Sequence, residues 1–412
     1  MALNWNPQDA LAYLRDTVSS FRPEQIIVDL RAHLRSPMSN VNRIAPAGIV
    51  SICFFIAIFT ILLYRHLDYT SDQNPTDRSG VVHNPDAPPI PPPTEIISMR
   101  IYPIKSCRGI EIDSTRLRKT GLTLDRNWMF IGLSDRTFLT IRGDPSMTLI
   151  DTAIISPPSG EQQLKVSIHG TSDSITVPAF PTKAWLDKNS TLSTVSIWGS
   201  DTDAYEYSES INAIFTKFFK KPVALVYKGP TARNVAVNGR EELYGKPVAH
   251  KFADVMSLQV ASQASIDDLN SRLGHKAGSP DALTIERFRP NIIVAGRPDH
   301  PWEEDTWKRI RITTSLPKEE AIYKIDIDVV ARCARCQVPN VNPDTAEKHA
   351  HEPWDQLMKF RRVDEGGAAK WKPCFGMLCI PKSEGKVEIG AKVEVLETTD
   401  KHLYDKRGFG EL

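Results

Sequence analysis

Ile325-Asp-Ile-Asp-Val-Val-Ala-Arg-Cys-Ala-Arg-Cys336 is the stretch on which the reading of this chain turns. Ile325, Ile327 and Val329 alternate with Lys324, Asp326 and Asp328, a period of two that lays one face of a strand on a core and the other toward solvent. Continued, that parity places Cys333 in the buried phase. Cys336 falls past the strand end, free to face a cleft. Arg332 and Arg335 stand beside it, and neighbouring cations favour the thiolate, the form that binds metals and attacks electrophiles.

On either side of this stretch, strands are expected over 291–295 and 322–331, with a terminal pair within 386–396. Helices are expected over 210–220, where Ile211, Ile214, Phe215 and Phe218 form one stripe, from Ser262 onward, and over 353–363. Residues 231–398 therefore read as an α+β domain. Upstream, short alternating runs such as Leu164, Val166 and Ile168 recur without a long helix, so 96–230 reads as a β-rich, barrel-like domain. Residues 399–412 are a tail.

Ahead of these domains, 44–65 holds no charge between Arg43 and Arg65 and is almost wholly apolar, long enough to cross a bilayer as one helix of roughly 20 residues. Residues 1–43 carry amphipathic helical spacing, with acids at Asp9, Asp16, Glu24 and Asp29 that argue against a cleaved presequence. Residues 66–95 end in Pro88-Pro-Ile-Pro-Pro-Pro93, a semi-rigid spacer holding the globular part off the membrane. Arg31, Arg35 and Arg43 against Arg65 and Arg78 put the N-terminus in the cytosol by a margin of one charge.

The chain has 412 residues, 41% hydrophobic and 25% charged, with 51 basic against 50 acidic side chains. That near-neutral balance lacks the basic field a phosphate backbone demands, which argues against nucleic acid as a partner. Six cysteines are too few for a disulfide scaffold at this length and suit a reducing compartment.

On spacing alone several chemistries stay open for the cysteines. Cys336 reads as a metal ligand or nucleophile, or as an incidental thiol. Cys333 and Cys336 with Cys374 and Cys379 could make a zinc site, although Leu378 and Ile380 make the latter pair look like core positions of a strand. Lys105-Ser106, Arg126 and Arg289 each place a cation or hydroxyl at an apparent strand end, suited to an oxyanion. Asp254 and Ser262 precede or open a helix, where Ser serves first as an N-cap.

Taken together, Ile101-Tyr-Pro-Ile-Lys-Ser-Cys-Arg-Gly109, Leu124-Asp-Arg-Asn-Trp128, Ser265-Ile-Asp-Asp-Leu-Asn-Ser-Arg-Leu273, Phe288-Arg-Pro-Asn291, Cys333-Ala-Arg-Cys336 and Pro343-Asp-Thr345 resemble the MOSC family, in its membrane-anchored amidoxime-reducing branch. The resemblance implies a molybdenum cofactor, Mo-molybdopterin, with Cys336 as protein ligand to the metal. Lys105, Ser106, Arg126 and Arg289 match positions that hold the pterin and its phosphate, Asp254 matches a loop acid at the cofactor, and Arg335 tunes the site. It implies reduction of small N-hydroxylated substrates with electrons from a haem cytochrome of the b-five type and its NADH-dependent reductase. It also implies a single-pass protein on the mitochondrial outer membrane, in preference to the endoplasmic reticulum, with its catalytic part in the cytosol. Asn342 and Gly143 depart from the family, which commonly has Asp and Gln there. A persulfide or cofactor carrier and a membrane-tethered zinc adaptor are the rival readings.

Overall fold

The computed structural model describes residues 85–405 except 159, 236, 277, 317–320 and 367–369. The apolar stretch at 44–65, the segment 1–43 and most of the spacer lie outside the described residues. Among the described residues no helix is long and apolar enough to cross a membrane.

The chain is β-rich, and its centre is a closed ring of seven strands. Around the ring run Ile292–Val294, Leu258–Ser262, Cys374–Pro381, Ala321–Ala334, Trp307–Leu316, Lys392–Thr398 and Thr94–Ile101, and the last pairs back to the first. All pairings are antiparallel except Leu258–Ser262 with Ile292–Val294. Ile96, Val260, Ile292, Ile312, Ile325 and Val393 all belong to one buried cluster. A second cluster, containing Ala261, Ile266, Leu269, Leu357 and Phe375, joins the ring to the helices Gln263–Arg272 and Trp354–Phe360.

The closed ring is thus built chiefly from the half expected to be α+β. Its closing strand, Thr94–Ile101, comes from the other half, and its pairing partner is nearly 200 residues away, beyond what local alternation can report. Seven other N-terminal strands form a four-stranded sheet in the order Trp128–Gly132, Val223–Lys228, Ser200–Tyr207, Ser190–Ile197, and a three-stranded sheet of Ile150–Ile155, Gln163–Ile168 and Ser174–Pro178. Helix Glu209–Phe219 packs its stripe on the first of these, with Phe215 4.8 Å from Phe130. It stops where Lys220 turns left-handed at φ 53° ahead of Pro222.

Several expectations change. The terminal strands Gly385–Glu388 and Lys392–Thr398 do not pair with each other; the first joins Ser114–Arg118 and the second the ring. The proline run does not simply stand clear: Pro91 is buried, Ile90 packs on the core, and the Pro88 carbonyl accepts a hydrogen bond from Thr398 Oγ1. Asp254 precedes the strand Leu258–Ser262 rather than a helix, and Ser262 sits at the N-cap of Gln263–Arg272 without a side-chain capping bond.

The alternation around Cys336 also breaks. Ile325, Ile327 and Val329 are buried as expected, but register shifts between Val329 and Ala331 and between Arg332 and Ala334 disturb the ladder. Such bulges reset which face a side chain takes. Cys333 is consequently half-buried instead of core, whereas Cys336 is exposed. Cys374 and Cys379 are both buried in the strand Cys374–Pro381, and burial pushes both thiols well above their usual range. No group of three or more His, Cys, Asp or Glu side chains among the described residues is arranged to hold a metal ion, so the four-cysteine zinc arrangement finds no support.

Candidate functional site

The site begins where Thr94–Ile101 leaves the ring. Tyr102-Pro-Ile-Lys-Ser106 turns sharply, with Ser106 half-buried at φ 67°, and the turn is held by Lys105 N–H on Trp128 O at 2.8 Å and Trp128 N–H on Pro103 O at 3.0 Å. Lys105 is therefore driven inward, 3% exposed. Its Nζ donates to Phe252 O at 3.0 Å and pairs with the Asp254 carboxylate. Burial lowers the Lys105 pKa, and Asp254 only partly offsets this.

Asp254 also accepts from Trp198 Nε1 at 2.9 Å. Its carboxyl is held below the usual carboxylate range, because the cost of drawing it into the cleft is outweighed by the charge and hydrogen bond of Lys105, with Trp198 and Arg126 adding to them. Arg233, 6% exposed, closes this side; its Nη1 donates to Lys251 O at 3.1 Å and Ala253 O at 2.9 Å and meets His250 Nε2 at 2.7 Å. Burial, then the charges of Arg233 and Lys105, hold the His250 pKa well below the usual imidazole value.

A second face of the cleft is built on Tyr102, which is fully buried. The Arg126 guanidinium lies 4.5 Å from its ring centroid and that of Arg289 4.2 Å. Both arginines have left-handed backbones, at φ 50° and 57°. Arg126 is anchored by Nη1 on Asp125 Oδ2 at 2.6 Å and Nη2 on Arg289 O at 3.2 Å. Arg289 has no hydrogen-bonding or ionic side-chain partner among the described residues, and its Nη2 is buried without one, as is the Tyr102 hydroxyl. Burial lowers the Arg289 pKa, with Tyr102 acting against it and Arg126 with it. Burial likewise pushes Tyr102 up to about 12 against the two guanidiniums.

Cys336 lies two residues past the end of the cysteine strand Ala321–Ala334. It is exposed. Burial raises the Cys333 pKa against the charge and hydrogen bond of Arg335, and the charges of Cys336 and Asp254 reinforce the rise, so Cys333 lies within electrostatic range of both Cys336 and the Asp254 side of the cleft. A small cavity lined by Arg108, Glu286, Arg287 and Arg289 is bounded by Val338 and Val341 from the loop after Cys336.

The structure therefore brings Lys105, Arg126, Asp254 and Arg289 together, with Ser106 on the same turn. It does not put the neighbouring arginines on Cys336. Arg335 is 8% exposed and turned inward, its Nη1 on Cys333 Sγ at 3.0 Å and its Nη2 on Phe288 O at 2.9 Å. Arg332 goes to Asp305 O at 3.2 Å and Tyr404 Oη at 3.1 Å. Adjacency in sequence misled here because successive strand residues point to opposite faces and the bulges intervene. Tyr102, Trp198 and Arg233 were missed as site residues. Tyr102 lay inside a distinctive motif, and Gly199 between two alternating runs was a usable turn signal that Trp198 itself did not reinforce.

Chemically, the cleft offers a surplus of cations with unused donor capacity at Arg289, an arrangement that recruits an oxyanion, and Cys336, close to Cys333 in sequence, is an accessible thiol. Two family models match the chain: the MOSC N-terminal beta barrel domain over residues 94–222 and the MOSC domain over 247–394. Mitochondrial amidoxime reducing component 2 of Bos taurus is 27% identical over 307 residues, covering 71% of this chain and 80% of that protein. Mitochondrial amidoxime-reducing component 1 of Homo sapiens is 25% identical over 313 residues, covering 73% and 82%. Molybdenum cofactor sulfurase of Oryza sativa subsp. japonica is 29% identical over 297 residues, covering 68% of this chain but 32% of that longer protein.

Proposed function

Because the chain belongs to the MOSC family, with both its N-terminal barrel domain and its MOSC domain, we propose that it is a molybdenum-cofactor oxidoreductase reducing N-hydroxylated compounds of the amidoxime type. Cys336 is the protein ligand to the metal, a soft thiolate suited to it. Lys105, Ser106, Arg126 and Arg289 hold the pterin phosphate, and Asp254 keeps Lys105 Nζ in place. Arg335 supports the site indirectly by fixing Cys333. Electrons come from a haem protein of the b-five type and its NADH-dependent reductase, and the apolar stretch at 44–65 anchors the protein to the mitochondrial outer membrane with the catalytic part in the cytosol.

The observation that carries the reading is Arg289, whose guanidinium is drawn into the cleft with a buried, unpartnered Nη2. An unpaired buried cation is costly, and Lys105 and Arg126 converge on the same cleft. The residue types fit a phosphorylated, sulfur-ligated cofactor: cations with a spare donor at Arg289 for the phosphate, and an exposed thiol at Cys336 for the metal. When bound, that cofactor supplies a two-electron couple, so that two electrons and two protons take the oxygen of the substrate as water.

The experiment is metal content and benzamidoxime reduction by the full chain with both electron partners. Wild type should hold close to one molybdenum per chain. Cys336→Ala should lose more than about 100-fold in activity, the upper end of what outer-shell changes alone cost, whereas Cys333→Ala should keep most of the metal. Unchanged activity in Cys336→Ala sinks the assignment. Bound molybdenum without reduction of any N-hydroxylated compound would favour a sulfur or cofactor carrier, a reading to which the similarity to a sulfurase lends its support.

A further inference from the structure

The strands Ser190–Ile197 and Ser200–Tyr207 pair without interruption up to Ile197 opposite Ser200. Their connection is therefore two residues long, Trp198-Gly199, with φ of 52° and 77°. Two left-handed residues in a two-residue hairpin loop make a type I′ turn, whose first position ordinarily takes Asn, Asp or Gly. A bulky aromatic is disfavoured there by its own Cβ. Burial does not compensate, since Trp198 remains 48% exposed.

What holds the indole is the cleft. Its Nε1 donates to Asp254 Oδ1 at 2.9 Å, the carboxylate that also holds Lys105. Phe138 meets it edge-on, with centroids 4.9 Å apart and planes at 72°, and Lys105 Nζ lies 5.1 Å from that same Phe138 ring. The Arg142 guanidinium is 5.2 Å from the Trp198 ring; it is exposed and has no ion-pair partner among the described residues. An exposed aromatic surface thus stands beside the Lys105 and Asp254 side of the cleft, on a hairpin that another residue would have turned with less strain. A backbone outlier at a cleft is a motive for a functional hypothesis.

We propose that Trp198, backed by Phe138, is the wall that selects flat aromatic substrates, stacking an aryl ring while the N-hydroxylated group faces the cofactor. This rests on the reductase reading above. Trp198 touches the substrate and leaves the chemistry to the cofactor, so its effect falls on KM and on discrimination between substrates.

The test compares benzamidoxime with acetamidoxime, which share the reacting group and differ by the ring, using the full chain with its electron partners. Trp198→Asn is the informative variant, because Asn-Gly suits the turn and keeps the hairpin folded. The ratio of kcat/KM for benzamidoxime over acetamidoxime should fall about tenfold, carried by KM, the scale of one aromatic contact, and Trp198→Phe should keep most of it. Benzamidoxime should also quench indole fluorescence in wild type and less in Trp198→Phe. An unchanged ratio in Trp198→Asn with both substrates still reduced overturns the wall and leaves the reductase. A parallel fall for both substrates with lost molybdenum also overturns it, because Trp198 then only braces Asp254. Quenching by benzamidoxime in a wild-type chain that reduces neither compound removes the reductase and leaves the aromatic site.

Discussion

Two groups of arginines flank the cysteine strand, and they are wired in opposite ways. Around Asp305 the charges close on one another: Arg361 Nη2 meets its Oδ2 at 2.7 Å, Arg332 Nε approaches the same oxygen at 3.6 Å, and His402 Nε2 lies 2.8 Å from the Asp305 carbonyl oxygen. Arg361 also donates to Cys374 O at 3.1 Å and lies 4.1 Å from the Trp302 ring. Around Tyr102 the balance is open. Arg126 has Asp125, but among the described residues Arg289 has a ring and no ion-pair partner. Buried charges neutralised in place hold a fold together, whereas a buried charge left over awaits a ligand. Arg332, beside the cysteines in sequence, belongs to the first kind; Arg289, distant in sequence, belongs to the second.

The comparison breaks most visibly at Arg361. Arg361→Met leaves Asp305 buried with one distant cation, and losing one partner of a buried pair costs roughly 3–5 kcal/mol; urea unfolding should show it. A loss under about 1 kcal/mol would mean that the closed network is not structural.

Glu304, beside Asp305, gives the next effect. Burial and the Asp305 charge raise its pKa to about 7 although Ser265 Oγ donates to it at 2.7 Å. The folded chain therefore holds a proton that the unfolded chain releases above its ordinary value of 4.5, and stability falls as pH rises from there through about 7. Glu304→Gln should match wild type near the bottom of that window and exceed it at alkaline pH by up to ~3 kcal/mol. Melting curves across pH that stay parallel would contradict this.

Arg289→Met should move stability least, within about 1 kcal/mol and toward a gain, because it removes a desolvated charge without orphaning an anion. Its effect should appear instead as a molybdenum content reduced by about tenfold or more. Destabilisation as large as that of Arg361→Met would show the two networks to be alike.

Much of this was legible in the residues. The alternation at Ile325, Ile327 and Val329 read correctly, as did the helix at Glu209–Phe219 and the exposure of Cys336, because each depends on a few neighbours along the chain. The family motifs also picked out Lys105, Arg126, Asp254 and Arg289, which the fold brings together. Cys333 was misplaced because a bulge leaves no mark in an alternating pattern, and Arg335 because its partners, Phe288 O and Gln259, come from other strands and turns.

The sequence by itself determined which segments alternate, where the apolar stretch lies and that Cys336 stands beyond its strand, since periodicity and hydropathy are carried by adjacent residues. Only the tertiary structure decided that Thr94–Ile101 closes the ring against Ile292–Val294, that Arg332 and Arg335 turn to partners other than Cys336 while Arg289 Nη2 finds none among the described residues, and that Trp198 meets Asp254. Those outcomes depend on which distant groups share a dry space, and in such a space the nearest partner, not the next residue, sets what a charge does.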